Sequence, residues 1–213
     1  SLLYAVQDFH TLNQDEAFVH LKEGTPIPYT TEFYNADLQA IFGIDYERLG
    51  VFDNKNETDF ELDPKLANES VKNKKITIVG TPDAKGNNIY QKVNLKEYKK
   101  ETVSELLKAL AVLRGGAKAT QFGTDISPKA LVLAGLNSKN PFLNNIFFAE
   151  KDGIILDLKT LEELVKDYAE RIETKVYIGI RSGYFKNEQD ILKLNKKKIG
   201  QVELVVGTPI EVV

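Results

Sequence analysis

Residues 114–129, RGGAKATQFGTDISPK, join a segment with a helical pattern to a segment with a strand pattern, and they carry groups that could hold an anion. Gly115 and Gly116 have no side chain, so the backbone N–H groups of this loop can approach a phosphate closely. Arg114 and Lys118 add positive charge on either side of the two glycines. This combination favours the binding of phosphate groups.

The second half of the same loop supplies groups that contact unpaired bases. Phe122 offers an aromatic face for stacking, and Gln121 and Thr124 can donate hydrogen bonds to phosphate or ribose oxygens. Together with the glycines and cations, these side chains indicate a site for single-stranded RNA. The simpler alternative is that Gly115 and Gly116 end the helix in left-handed conformations and that the remainder is a solvated loop.

The composition limits the functions that the chain could have. Its net charge of −3 lacks the overall positive charge of a freestanding nucleic-acid-binding protein, so any such binding must be local. Residues 181–200 contain a basic run, in which six cations stand against Glu188 and Asp190 for a balance of +4. The alternative for this run is an ordinary solvated face. Its cations are Arg181, Lys186, Lys193, Lys196, Lys197 and Lys198.

Catalytic and metal chemistry have few candidate residues in this chain. It contains no cysteine and only two histidines, so we expect no metal site. The glycine-rich motifs that cradle nucleotide phosphates do not occur in the sequence, and we expect no cofactor. His10 or His20 could still act as a general base in metal-free RNA cleavage beside Lys22, and this alternative stays open.

The hydrophobic pattern predicts the elements that must position the loop. Residues 32–46 alternate between apolar and polar side chains, which predicts a long half-buried strand. Residues 97–114 carry apolar side chains at three- and four-residue spacings, which predicts a helix that packs on a sheet. The later elements are a buried strand at 130–136, a hairpin around 151–153, an amphipathic helix at 161–172, and the strands KVYIGIR and VELVV.

A polar region separates the first of these strands from the first helix. Residues 53–75 have few apolar side chains and predict a flexible linker, and KITIVG and IYQKVNL after it predict a hairpin. The order of elements favours an α+β sandwich with helices on one face of an antiparallel sheet. We expect a single domain over residues 1–213, with a flexible or projecting insertion at about 53–95.

Four blocks of the sequence, in their order and spacing, resemble one protein family. They are TEFYNADLQAIFGIDYERLGVF, LRGGAKATQFGTDISPKALVLAGL, NPFLNNIFF and KVYIGIRSGYF. Over most of its length the chain resembles the backbone subunit of type I CRISPR Cascade complexes, in the DevR branch of the RAMP superfamily. The resemblance implies a modified RNA-recognition-type (ferredoxin-like) palm with an antiparallel sheet and hairpin excursions.

The same resemblance implies a non-catalytic subunit of antiviral defence that binds guide RNA. Copies of such a subunit polymerise as a helical filament along the guide with other Cascade subunits, and they present the guide for pairing with target DNA. Carried over to this sequence, the resemblance implies that Asn140, Pro141 and Phe142 are structural. The RNA-binding residues that we predict are Arg114, Gly115, Gly116, Lys118, Gln121, Phe122, Thr124 and Lys129.

The start of the sequence differs from the family pattern. Similar proteins carry a strand, a helix and a strand before the region that begins here, and we expect the palm to lack these elements. The chain has no methionine and begins at Ser1, so we also expect it to be part of a longer protein. No apolar run is long enough to span a membrane, so we expect no membrane partner and a cytoplasmic location.

Two other functions remain open from the sequence. A guide-processing endonuclease of the same superfamily would use a histidine and a glycine-rich loop near the C-terminus, where VELVVGTPIEVV has one glycine. A protein-interaction domain without nucleic acid would suit the acidic pI of about 5.6. These alternatives predict RNA cleavage and no RNA binding, respectively.

Overall fold

One strand, Ala130–Leu133, is buried at all four of its residues. The computed structural model describes residues 2–7, 12–18, 27–32, 36–55, 61–114, 126–151 and 153–213. The chain divides into two compact units, one formed by residues 1–42 with 109–213 and one formed by residues 43–108.

The described residues form a mixed α+β structure of short strands and four helices. The helices are α1 (Pro64–Lys72), α2 (Leu95–Ala111), α3 (Leu158–Asp167) and α4 (Glu188–Leu192), with a turn of 3-10 helix at Ala169–Arg171. The strands are β1 (Leu2–Gln7), β2 (Leu12–Phe18), β3 (Ile27–Glu32), β4 (Ala36–Ile41), β5 (Val51–Asp53), β6 (Ile76–Val79), β7 (Ile89–Lys92), β8 (Ala130–Leu133), β9 (Phe147–Glu150), β10 (Gly153–Leu156), β11 (Val176–Ile180), β12 (Lys198–Ile199) and β13 (Val202–Gly207).

A six-stranded sheet in the order β12, β13, β11, β8, β1, β4 is the framework of the first unit. Its neighbours pair in antiparallel fashion, except β11 and β13, which are parallel. The sequence predicted an antiparallel sheet. The parallel pair differs because residues 181–201 pass through α4 and β12 before β13 begins, and a parallel neighbour requires such a crossover connection.

Helices α3 and α4 cover one face of this sheet. Leu161 and Val165 of α3 and Ile191 of α4 are fully buried in one core. Val132 and Ile178 lie opposite each other in the β8–β11 pair and belong to the same core. Residues directly opposite in an antiparallel pair share a face, so this is the helix-covered face of the two strands.

The other face of the same two strands is covered by the C-terminal residues. Leu131 lies opposite Gly179, and both face away from α3 because side chains alternate along a strand. A Cβ atom added at Gly179 would lie 2.7 Å from the Cα of Pro209 and 2.7 Å from the Cγ2 of Val212. The backbone after β13 therefore lies directly on this face, and glycine leaves the room for it.

Most of the predicted elements of the first unit are confirmed. The helix predicted at 161–172 is α3 with the 3-10 turn after it, and the hairpin predicted around 151–153 is formed by β9 and β10. The buried strand predicted at 130–136 is β8. Phe142, predicted as structural, packs against the core and stacks on Tyr168 with 4.6 Å between ring centroids.

The long half-buried strand predicted at residues 32–46 was wrong in length and burial. Its regular part is β4, which ends at Ile41, and the side chains of residues 37–41 are exposed on both faces. Because β4 is the last strand in the sheet order, it lacks the covering that central strands receive. Downstream, the Asp45 carboxylate accepts the N–H of Arg48 at 3.3 Å, which holds a turn where the strand was expected to continue.

The unit of residues 43–108 has a small core of its own. Strands β5, β7 and β6 form a three-stranded sheet, in which β6 and β7 are the predicted hairpin. Ala67 of α1 is buried with Ile76 and Tyr90 of this sheet. The predicted helix at 97–114 is α2, and its Tyr98 side chain packs over Gly50, where a Cβ would lie 2.8 Å from the ring.

The structure differs from the linker predicted at 53–75, because residues 64–72 form α1. The Asp63 carboxylate accepts the N–H groups of Lys65 and Leu66 at 2.9 and 3.2 Å, and Pro64 occupies the first helical position. Asp followed by Pro is a helix-start signal, since the carboxylate satisfies backbone donors and proline needs none. The polar composition of the segment concealed this signal.

Replacing Gly179 by alanine should destabilise the first unit by about 1–3 kcal/mol, because the new Cβ would overlap backbone atoms of Pro209. Urea unfolding measures the loss. The matched control is Gly207→Ala in the paired strand, where the nearest atom is the flexible carboxylate of Glu211 at 3.1 Å and the loss should be smaller. Equal losses for the two variants would contradict the packing of the C-terminal residues on this face.

Asp157→Ala should destabilise α3 by about 1 kcal/mol at neutral pH, because the carboxylate caps the helix. Hydrogen bonds from the Thr160 hydroxyl and N–H, at 2.7 and 3.1 Å, lower the pKa of Asp157. A lowered folded-state pKa gives stability that is present above the unfolded-state value of about 3.9 and is lost as pH falls through the folded-state value.

The difference in the free energy of unfolding between the Asp157→Ala variant and the wild type should therefore become smaller as the pH is lowered. Urea unfolding measures this difference at pH 7 and again at pH values below the usual pKa range of carboxyl groups. The control is Asp167→Ala, which removes a carboxylate at the opposite end of α3. A difference that does not change with pH would show that the carboxylate is not the capping group.

Candidate nucleic-acid interface

Two cationic residues meet at one end of the central strand pair. Lys129 directly precedes β8, and Arg181 directly follows β11. The N–H of Arg181 donates to the carbonyl of Lys129 at 2.9 Å, which continues the β8–β11 ladder one residue beyond the Ile180–Ala130 pair. Opposite residues of an antiparallel pair share a face, with Cβ atoms about 5 Å apart, so the two side chains lie side by side.

The alternation along the strands decides which face carries these cations. Ala130 and Ile180 are buried in the core beneath α3 and α4. Their neighbours Lys129 and Arg181 therefore lie on the opposite face, the one without helices. Two adjacent positive charges on a helix-free sheet face are suited to an anionic chain that runs past the end of the sheet.

A tight turn follows β11 at this end of the sheet. The carbonyl of Arg181 accepts the N–H of Tyr184 at 3.4 Å, and Gly183 between them has φ of 77°. The Tyr184 hydroxyl donates to the Asp37 carboxylate at 3.0 Å. Because β8 and β1 lie between β11 and β4 in the sheet, this hydrogen bond ties the turn to the far strand.

The predicted RNA-binding residues are described only in part. Arg114 is exposed shortly after α2, and Lys129 is partly buried with its Nζ donating to the Ser127 hydroxyl at 3.1 Å. The other predicted residues lie outside the described residues, as do His10 and His20. These other residues are Gly115, Gly116, Lys118, Gln121, Phe122 and Thr124.

The basic run of residues 181–200 is largely matched by carboxylates. Three of its lysines form exposed salt bridges: Lys186 with Glu150 at 2.9 Å, Lys193 with Asp190 at 2.7 Å, and Lys197 with Glu162 at 2.6 Å. Exposed pairs of this kind stabilise a fold by about 0–1 kcal/mol each, but they do lower the local positive charge. Glu150 and Glu162 come from outside the run, so its balance of +4 overstates the positive charge of this surface.

Arg181 differs from the other members of the run. Among the described residues, no carboxylate forms a salt bridge with its guanidinium, whereas Lys196 and Lys198 lie close enough to Glu203 to help lower the pKa of that carboxyl. The larger cause of that lowered pKa is a hydrogen bond from Lys175. The sequence singled out Lys129 and Arg181 separately, but their pairing followed only from the alignment of β8 with β11.

A second candidate is an open cleft of about 670 Å³ near the start of β11. Its charged residues are Glu173, Lys175, Lys198 and Glu203, and Lys175 forms a salt bridge with Glu203 at 2.8 Å. That hydrogen-bonded pair raises the pKa of Lys175 and lowers the pKa of Glu203. Two cations and two carboxylates cancel, so the cleft has no preference for an anion.

Comparisons with protein-family models, with curated proteins and with solved structures give no match for this chain. The resemblance to Cascade backbone subunits stays a prediction from the sequence. Within the part of the chain that the structure describes, no three His, Cys, Asp or Glu side chains are arranged to hold a metal ion. No helix in that part is long and apolar enough to cross a membrane.

Tyr184→Phe should destabilise the first unit by about 0.5–1.5 kcal/mol, because the hydrogen bond to Asp37 is lost while the ring stays in place. Tyr177→Phe is the matched control, since its hydroxyl has no hydrogen bond to a described residue and its removal should change stability little. Urea unfolding of both variants measures the difference. A loss in Tyr184→Phe no larger than in the control would mean that the bond to Asp37 does not hold the turn.

Proposed function

We propose that the chain is a non-catalytic guide-RNA-binding backbone subunit of a type I CRISPR surveillance complex. Copies of the subunit polymerise along the guide RNA with other Cascade subunits and present the guide for pairing with target DNA. The sequence supports this proposal through the four blocks that resemble the family and through the glycine-containing segment at residues 114–129. In this function the protein is not an enzyme and acts in the cytoplasm.

The observation that carries the proposal is the pairing of Lys129 with Arg181. The predicted RNA-binding segment, residues 114–129, ends at Lys129 and therefore joins the sheet directly beside a second cation. Arg181 comes from a different part of the sequence and adds charge to the same face. Cations contributed by two segments to one face favour an RNA backbone, because the affinity rises with the number of phosphates that are neutralised together.

The architecture of the first unit supports a ferredoxin-like palm. RNA-recognition-type domains cover one face of an antiparallel sheet with helices and bind RNA on the other. Helices α3 and α4 lie on one face here, and Lys129 and Arg181 lie at the end of the other face, which the residues after β13 cover at Gly179. The parallel pairing of β11 with β13 is a departure from the antiparallel pattern at the β12 edge of the sheet.

Lys118→Ala and Arg181→Ala should each remove one phosphate contact. The slope of log affinity against log salt for single-stranded RNA should then shrink by about 0.7 in each variant, nearly independently of RNA sequence. A salt titration with labelled repeat RNA measures this slope. The control is Lys108→Ala on α2, because Lys108 is paired with Glu105 at 2.8 Å and should contribute no phosphate contact.

Gly116→Val should weaken RNA binding more than Lys118→Ala does. A β-branched side chain resists the positive φ that we expect at this position and pushes the RNA away from the backbone. If the Lys118 and Gly116 variants keep the wild-type RNA affinity and salt slope, segment 114–129 does not bind RNA, and the alternative that its glycines only end a helix is favoured. Metal-free cleavage of the same RNA, lost on replacing His10 and His20 by alanine, would instead favour the guide-processing endonuclease.

A further inference from the structure

The turn that follows β11 presents bare backbone at the protein surface. Gly183 occupies its third position with φ of 77°, the value that a type II turn requires there. Ser182 and Gly183 are both exposed, and a Cβ added at Gly183 would meet nothing within 4 Å. Gly183 itself therefore puts no side chain in the way of a group that approaches this backbone.

The N–H of Gly183 already holds an anion from the same chain. It donates to the Oε2 of Glu188 at 2.6 Å, a short hydrogen bond of the kind formed with charged acceptors. No cation among the described residues forms a salt bridge with Glu188, so this N–H is the observed partner of that carboxylate. The geometry shows that the turn accommodates a negatively charged oxygen at this donor.

The same turn begins with the cation pair. Arg181 is its first residue, and Lys129 lies beside Arg181 across the strand pair. Backbone donors next to cationic side chains are the usual elements of a phosphate site. Glu188 and Asp37, which accepts from the Tyr184 hydroxyl, bring two negative charges against these two positive charges, and Glu188 opposes any second anion that approaches the turn.

We propose that residues 181–184 form a phosphate-binding turn, in which the Glu188 carboxylate occupies the Gly183 N–H until a phosphate of the RNA backbone replaces it. The exchange leaves no backbone donor unpaired, because one anionic acceptor substitutes for another. The released carboxylate belongs to a partly exposed side chain and passes into water. This inference rests on the proposed RNA-binding function for the source of the phosphate.

Glu188→Gln tests the competition, because the amide oxygen can still accept from Gly183 while the charge is removed. Affinity for a labelled single-stranded RNA oligonucleotide should rise by about threefold to tenfold at low salt, as expected for one like charge a few ångströms away in a water-like dielectric. Asp190→Asn is the matched control: it removes one carboxylate from the same helix, but Asp190 is bound by Lys193 at 2.7 Å and does not contact the turn. Equal gains in RNA affinity for the two variants would contradict the proposal that Glu188 competes with RNA phosphate for the Gly183 N–H.

The amide resonance of Gly183 tests the site directly in the wild-type protein and in Glu188→Gln. RNA should shift this resonance, while the amide of Gly200, another exposed glycine with positive φ, should stay in place. A parallel titration with inorganic phosphate distinguishes two kinds of site. At a general phosphate site the Gly183 resonance shifts with both probes, whereas at a site that requires the RNA backbone it shifts with RNA only.

The two proposals fail in different ways. Absence of RNA binding by the wild type would overturn the proposed function, and a Gly183 shift with inorganic phosphate in Glu188→Gln would still support the phosphate-binding turn. Tight RNA binding without any shift of the Gly183 resonance would leave the proposed function in place and would contradict the proposal that residues 181–184 bind phosphate. A Gly183 amide that responds to neither probe overturns the inference whatever the RNA affinity is.

Discussion

The pairing of β8 with β11 is the interaction on which the rest of the first unit depends. Both strands are covered on one face by α3 and α4, and their other face is covered by the residues after β13. Water cannot replace a missing partner between two covered faces, so the hydrogen-bond ladder of these strands must be complete. Strand β1 then pairs with the free edge of β8 and β13 with that of β11, and the sheet grows outward from this pair.

Burial on both faces also explains why local patterns predicted these strands well. The segments ALVL and VYIGI are nearly continuous apolar runs, as expected for strands without a solvent face. Helix α3 was equally clear, because its buried residues Leu161 and Val165 repeat at helical spacing. Where a strand lies at the edge, as β4 does, the alternation of its side chains overstated both its length and its burial.

The arrangement of strands was less predictable than the strands themselves. The segment LLYAVQ was not predicted as a strand, although β1 pairs with β8 and with β4. Its partners lie far away in the sequence, and a short apolar run does not identify them. The same limit applies to the candidate site. Lys129 and Arg181 become neighbours through the register of β8 with β11. In the contiguous run at 181–200, by contrast, lysines form salt bridges with carboxylates on other elements.

In the proposed site, the carboxylates at the end of the sheet would set the selectivity. Asp37 accepts from the Tyr184 hydroxyl and Glu188 accepts from the Gly183 N–H, so both negative charges are held by the turn that Arg181 begins. These hydrogen bonds fix the turn, and they also weaken the positive potential that Lys129 and Arg181 create. A single small anion would then gain less from the proposed site than the two cations alone would give it, because the carboxylates oppose it. Under the proposed function a polyanion would gain more, since further contacts along its backbone would add to those at the turn and would offset the cost of displacing Glu188.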